Sequence, residues 1–194
     1  MARPKAYNKE KVVDDATQLF WKKGYHCTPL SELVAVTGLN KHSLYKEFGS
    51  KAGLFDECLL NYRHKVGQEL IDILRQKPLG LDNIRAFFVN RLQYMDSKYF
   101  KGCMRVRCAT EKEFFEDRAL EQVKILDEKF EKAYTDCLVS AIESGELAKT
   151  SDTKLLIAFL SYFQAGMMVM GMPKNGNTEA GKMIEMIMSA ITLN

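Results

Sequence analysis

Between Thr28 and Phe48 the chain has room for only two short helices, with a glycine between them. Thr28-Pro29 reads as N-cap and first helical position, where proline loses nothing because the first amides of a helix have no partner in the turn. Leu30, Leu33 and Val34 carry that helix to Gly38; Leu39 follows, Asn40 caps the second helix, and the second helix runs to Phe48. A longer segment at 8–23 comes before, with Val12, Val13, Ala16, Leu19 and Phe20 on one side, and closes at Gly24. Ser50 caps another long segment that begins at Lys51. Two short helices turning about a glycine and braced on both sides make a helix-turn-helix pattern. A helical hairpin with no nucleic-acid role shares this spacing.

The outward face of the second short helix follows from helix geometry. Each residue rotates by about 100°, so with Leu44 taken as the inward direction Phe48 lies about 40° away and also packs inward. His42 and Lys46 then lie about 160° from Leu44 on either side, with Lys41, Ser43 and Tyr45 on the flanks. A cation, an imidazole, hydroxyls and a phenol offer donors to base edges and phosphates. Glu47, the carboxylate of this helix, flanks Phe48 and should point aside.

Charge supports the same end of the chain. The net charge of +3 lies wholly in the first 64 residues, which hold 10 basic and 7 acidic residues, while the remainder holds 18 of each. Such asymmetry hints at nucleic acid or membrane at the basic end. Arg3 and Lys5 suit phosphate or minor-groove contacts, as basic arms of other DNA binders do, or a solvated terminus, the second reading being favoured. A hydrophobic fraction of 46% with only 4 prolines and 12 glycines excludes collagen-like, low-complexity and largely disordered chains.

The stretch TGLNKHSLYKEFGSKAGLF at 37–55 resembles the TetR family of bacterial one-component transcription regulators. The family pattern is a turn glycine followed by Ser-Lys-x-x-Leu-Tyr-x-x-Phe-x-Ser-Lys-x-x-Leu. This chain supplies Gly38, Lys41, Leu44, Tyr45, Phe48, Ser50, Lys51 and Leu54 at those places. Asn40 stands where serine is commoner and retains the cap, whereas Lys46 and Glu47 replace aromatic or histidine residues. The resemblance implies an all-α chain: a three-helix helix-turn-helix DNA-binding domain at 1–54, then a larger helical effector-binding and dimerisation domain at 55–194. It implies a cytoplasmic homodimeric repressor released from a palindromic operator by a small molecule, with no enzymatic activity. DNA contacts are expected from Thr28, Asn40, Lys41, His42, Ser43, Tyr45, Lys46 and Lys51, the last as a phosphate contact at a helix N-terminus.

Proline and glycine divide the remaining chain into helical segments at 56–76, 81–98, 102–115, 117–144, 152–170 and 178–192. Residues 155–173 carry no charge, which suits a membrane span, a core helix or a subunit interface. Ser161, Tyr162, Gln164 and two glycines within the run, with no basic cluster beside it, speak against the membrane span and leave a core helix or a subunit interface. The resemblance assigns the last two helices to a dimer bundle, where the methionines after Gln164 serve as adaptable apolar filler. A small-molecule pocket is expected from Phe88, Arg91, Tyr94, Met95, Cys103, Met104, Phe115, Tyr162 and Phe163.

The five cysteines, odd in number and without a CxxC pair, fit a reducing compartment and match no metal site. Lys101-Gly102-Cys103-Met104 resembles a Gly-Cys motif of a TetR-like subgroup in which a cysteine senses electrophiles or oxidants. Lys101, Arg105 and Arg107 around Cys103 would favour thiolate, so a thiol-triggered repressor is the alternative mode of release. A helical enzyme or a DNA-free adaptor is the rival class. The chain has no HExxH, Gly-rich phosphate loop or nucleophile elbow, and nothing suggests a cofactor, a metal or a catalytic residue.

Overall fold

A computed structural model describes residues 7–115, 117–171 and 177–192, and in these every regular element is helical. The amino-terminal Arg3 and Lys5 lie outside the described residues. The chain forms two compact units, one of residues 1–66 with 103–125 and the other of 67–102 with 126–194. Against the domain boundary expected at residue 54, the first packed unit runs further and takes in a segment from later in the chain.

In the first unit, α1 (Lys9–Lys23) starts where Asn8 Oδ1 accepts the Lys11 amide at 3.2 Å, and ends at Gly24 with φ +84°. Its apolar side, Val12, Val13, Ala16 and Phe20, is buried as the spacing demands. The helix α2 (Leu30–Thr37) ends at Gly38 in the left-handed conformation, and α3 (Lys41–Phe48) begins under the Asn40 cap. The Ser50 hydroxyl accepts the Gly53 amide at 3.0 Å to open α4 (Lys51–Tyr62). α4 packs along α1, and its start approaches α3 closely: a Cβ on Gly53 would lie 2.1 Å from the Phe48 carbonyl oxygen. Charged pairs rim this packing, with Lys65 Nζ 2.6 Å from Asp14 and Asn61 donating to the same carboxylate at 2.8 Å.

The segment 56–76 departs from the single helix expected. α4 passes into a wide π-helical turn at Arg63–Gly67 before α5 (Gln68–Arg75) resumes. Gly67, the first residue of the second unit, ends that turn, and a Cβ there would stand 2.7 Å from Leu126 Cδ1 of the same unit. Expected helix 102–115 is likewise broken: α7 (Met104–Thr110) stops at Glu111, and a 3₁₀ turn (Lys112–Phe114) follows. At both breaks the chain meets residues distant in sequence, which periodicity does not report.

The second unit holds α5, α6 (Leu81–Asp96), most of α8 (Asp117–Ser144), α9 (Thr153–Met170) and α10 (Asn177–Thr192). Phe87 makes edge contacts with Phe88, Phe130 and Tyr134, and Ile71, Leu74, Ile84 and Leu138 close the core around them. α9 is long and apolar enough to cross a membrane, yet it buries Leu156, Leu160, Gln164, Met167 and Met168 within its own unit. Leu155, Tyr162, Val169 and Met170 on the same helix stay exposed, as does Met186 on α10.

Candidate DNA-reading surface

The geometry of α3 is set from inside. Leu44 is 2% exposed and fixes the inward direction, Leu39 in the turn is buried, and Asn40 Oδ1 accepts the Ser43 amide at 2.8 Å. Lys41, His42, Tyr45 and Lys46 consequently stand exposed on the opposite side, with Ser43 half-buried at the edge. Lys41 Nζ lies 5.7 Å from the Tyr45 ring centroid, so cation and phenol present a joint surface. Phe48 is half-buried, with Lys9 Nζ 5.6 Å over its ring. Glu47 does point aside: its Oε2 accepts the Tyr7 hydroxyl at 2.6 Å. That hydrogen bond, aided by burial and by the carboxylate's charge, pushes the Tyr7 phenol up to about 12.

Two residues expected among the DNA contacts are placed otherwise. Thr28 is fully buried, its hydroxyl donating to the Gly24 carbonyl at 2.6 Å, and Pro29 rather than Thr28 occupies the cap position of α2. Thr28 is therefore a framework residue that closes the turn after α1. Lys51 is half-buried and turned inward, its Nζ donating to the Tyr25 carbonyl at 2.6 Å and sitting 4.4 Å over the Tyr25 ring. Burial lowers its pKa, against the opposing charge of Glu111.

Tyr25 is the centre that sequence reasoning missed. Its ring meets Phe20 at 6.0 Å, Phe55 at 4.9 Å and Phe115 at 5.3 Å, and Phe55 and Phe115 stack at 5.0 Å. The Tyr25 amide donates to Glu111 Oε2 at 2.9 Å, and the His26 amide to the same oxygen at 3.3 Å. No local signal could have found Glu111, 86 residues further along the chain.

The residues expected to form one pocket are divided between the units. Cys103, Met104 and Phe115 belong to the first: Cys103 Sγ is 3.5 Å from the Tyr62 hydroxyl, Met104 is buried, and Phe115 meets Tyr25 edge-on within the aromatic cluster. Phe88, Arg91, Tyr94, Met95, Tyr162 and Phe163 belong to the second. Phe88 meets Phe163 at 5.8 Å, and Arg91 is buried with its guanidinium 5.3 Å from the Tyr94 ring. Only Met95, Tyr162 and Phe163 of this set line the apolar cavity of about 570 Å³ that the second unit contains, together with Phe159, Met167 and Met183.

The comparisons with known proteins agree with this geometry. Residues 12–58 match the model of bacterial regulatory proteins, tetR family. The chain is 34% identical over 103 residues to the HTH-type transcriptional repressor BdcR of Escherichia coli, covering 53% of this chain and 52% of that one. It is 43% identical over 60 residues to the repressor ComR of the same organism, covering 31% and 29%. The chain thus spans about half the length of one of these curated relatives and less than a third of the other. Among solved structures, a cysteine-substituted TetR family transcriptional regulator CifR, complexed with 26bp double-strand operator DNA, superposes with a TM-score of 0.83 at 24% identity, covering 97% of this chain and 99% of that one. With its helix-turn-helix built from the residues that match this model, the chain carries a domain of the tetR family of bacterial regulatory proteins at residues 12–58.

Proposed function

We propose that the chain is a sequence-specific DNA-binding transcriptional regulator, acting as a homodimeric repressor that leaves a palindromic operator when a small molecule binds. The observation that carries this reading is the exposed quartet Lys41, His42, Tyr45 and Lys46 on α3, held outward by buried Leu44 and the Asn40 cap. Donors on the outer face of a recognition helix suit the major groove, where each base pair presents a distinct pattern. Similarity to BdcR, a transcriptional repressor, and to CifR bound to its operator supports the same reading.

Roles divide along the chain, with residues 1–54 reading double-stranded DNA and 55–194 binding the effector and pairing two copies through α9 and α10. The uncharged exposed residues of α9 support a protein partner over a membrane. The apolar cavity beside Met95 and Phe163 supports an effector that is largely hydrophobic. The activity is binding rather than catalysis, and its place is the bacterial cytoplasm, where operators are. Release through Cys103 is the less favoured route, since that thiol is 8% exposed.

The test is selection of operators from a random duplex library by the purified chain, followed by mobility shift. A palindrome with half-sites about one helical turn apart is expected. Equal affinity for selected and random duplexes would sink the reading.

A further inference from the structure

We propose that Glu111 is a positioning residue for DNA recognition, its carboxylate fixing the turn from which α2 and α3 depart. The inference rests on the DNA-binding reading above and concerns contacts within the first unit alone. Beyond the end of α1, the amides of Tyr25 and His26 have no helical acceptor, and Glu111 Oε2 takes both, at 2.9 and 3.3 Å. Gly24 lets the carboxylate in: a Cβ there would lie 2.2 Å from Glu111 Oε1, and its φ of +84° favours glycine as well.

Neighbours of Glu111 grip the same turn. One helical turn earlier Arg107 Nη2 donates to the Lys22 carbonyl at 3.2 Å, and Phe115 meets Tyr25 edge-on and stacks on Phe55. Lys51 holds the other side of Tyr25 through its carbonyl. A carboxylate at the C-terminal end of α7 is opposed by that helix's own dipole, so the donors of the turn are what its position answers to. The turn leads directly into α2, and α2 and Gly38 carry α3. Glu111 acts through this turn and not as a reader of bases; it sets the angle at which the readers are held.

The test compares Glu111→Ala, Glu111→Asp and Glu111→Gln with the native chain on a selected operator and on random duplex. Loss of two charge-assisted hydrogen bonds should weaken operator binding by Glu111→Ala about tenfold or more. Binding to random duplex and the slope of log K against log salt should not change, because no phosphate contact is removed. Faster amide exchange at Tyr25 and His26 should accompany the loss. Glu111→Gln, which keeps one acceptor oxygen, should restore most of it. Should Glu111→Ala unfold, Glu111→Asp draws the carboxylate back by one methylene and carries the same readouts. Native-like operator binding by Glu111→Ala or Glu111→Asp, equal losses on both duplexes, or unchanged exchange at Tyr25 overturns the proposal. A native chain that selects no operator overturns the DNA-binding reading, and this inference with it.

Discussion

Lys51 binds Tyr25 twice, donating to its carbonyl at 2.6 Å and covering its ring at 4.4 Å. The ammonium is thereby spent inside the protein, and its lowered pKa, caused chiefly by burial, agrees with that position. Lys51→Met keeps the apolar stem and removes both interactions. Stability should fall by about 1–3 kcal/mol, the range of a charge-assisted hydrogen bond with some cation–π contribution. Chemical denaturation measures it. The salt dependence of operator binding should be unchanged, and a slope reduced by one charge would show that Lys51 reaches phosphate after all.

Lys46 and His42 should behave in the opposite way. Both are exposed on the outer face of α3, away from the packing of Leu44. Lys46→Ala or His42→Ala should leave the denaturation midpoint near the native value, weaken operator binding by about 1–3 kcal/mol and relax preference at one operator position. Repeating the operator selection with each variant measures this, and an undiminished preference would remove that residue from base reading.

The acid limb of stability should depend on Asp14. Its carboxyl is held below the ordinary value of 3.8, first by the hydrogen bond from Lys65, against burial, with Asn61 and the charges of Lys65 and Lys11 assisting. A depressed folded pKa contributes stability that is complete above 3.8 and is lost as pH falls below 3.8 toward the folded value. Asp14→Asn should flatten the stability–pH curve in that window and leave its shape near neutrality alone. Urea midpoints across the acid range provide the check, and an unchanged acid slope in the variant would refute it.

Thiol reactivity should separate one cysteine from the rest. Cys27 is exposed, while Cys58, Cys103, Cys108 and Cys137 are buried. Burial pushes the Cys58 thiol up to about 12 and the Cys137 thiol to about 11, and raises Cys108 as well. A disulfide reagent near neutral pH should therefore meet one fast thiol, since thiolate is the nucleophile. Cys27→Ser should abolish the fast phase, and a second fast phase lost in Cys103→Ser would revive thiol-triggered release.

What was legible in the sequence is what neighbours in the chain decide. Gly24, Gly38, Asn40 and Ser50 cap or close helices through groups within four residues, and the period of 3.6 is enough to turn Leu44 in and Lys46 out. The departures lie where distant segments meet. Thr28 looked like a cap because Pro29 follows it, but the Gly24 carbonyl competes for its hydroxyl and burial removes it from DNA. Lys51 stands at the family's phosphate-contact position, and its inward turn depends on Tyr25, 26 residues earlier. The helix expected to continue through Glu111 ends there, where the carboxylate accepts the Tyr25 and His26 amides, and apolar spacing carries no record of that partner. The expected pocket set is divided for a related reason: Phe115 has the composition of a ligand wall, and only packing shows that Phe55 stacks on it and Tyr25 meets it edge-on.

Val169 offers the sharpest test of pairing through the last two helices. It is 63% exposed on α9 beside Met170 at 82%, so a charge at this position is solvated in a lone chain and costs little stability there. In a paired bundle the same charge enters an apolar seam without a partner, which costs several kcal/mol or forces the copies apart. Val169→Asp should therefore remain helical with a near-native denaturation midpoint at low concentration, yet sediment as a monomer where the native chain sediments as a dimer. Operator affinity should fall steeply in the same variant, because a palindrome binds tightly only when both half-sites are engaged by one linked pair. A monomeric native chain would exclude α9 as the seam, whereas a dimeric Val169→Asp variant with full operator affinity would move the seam to another face.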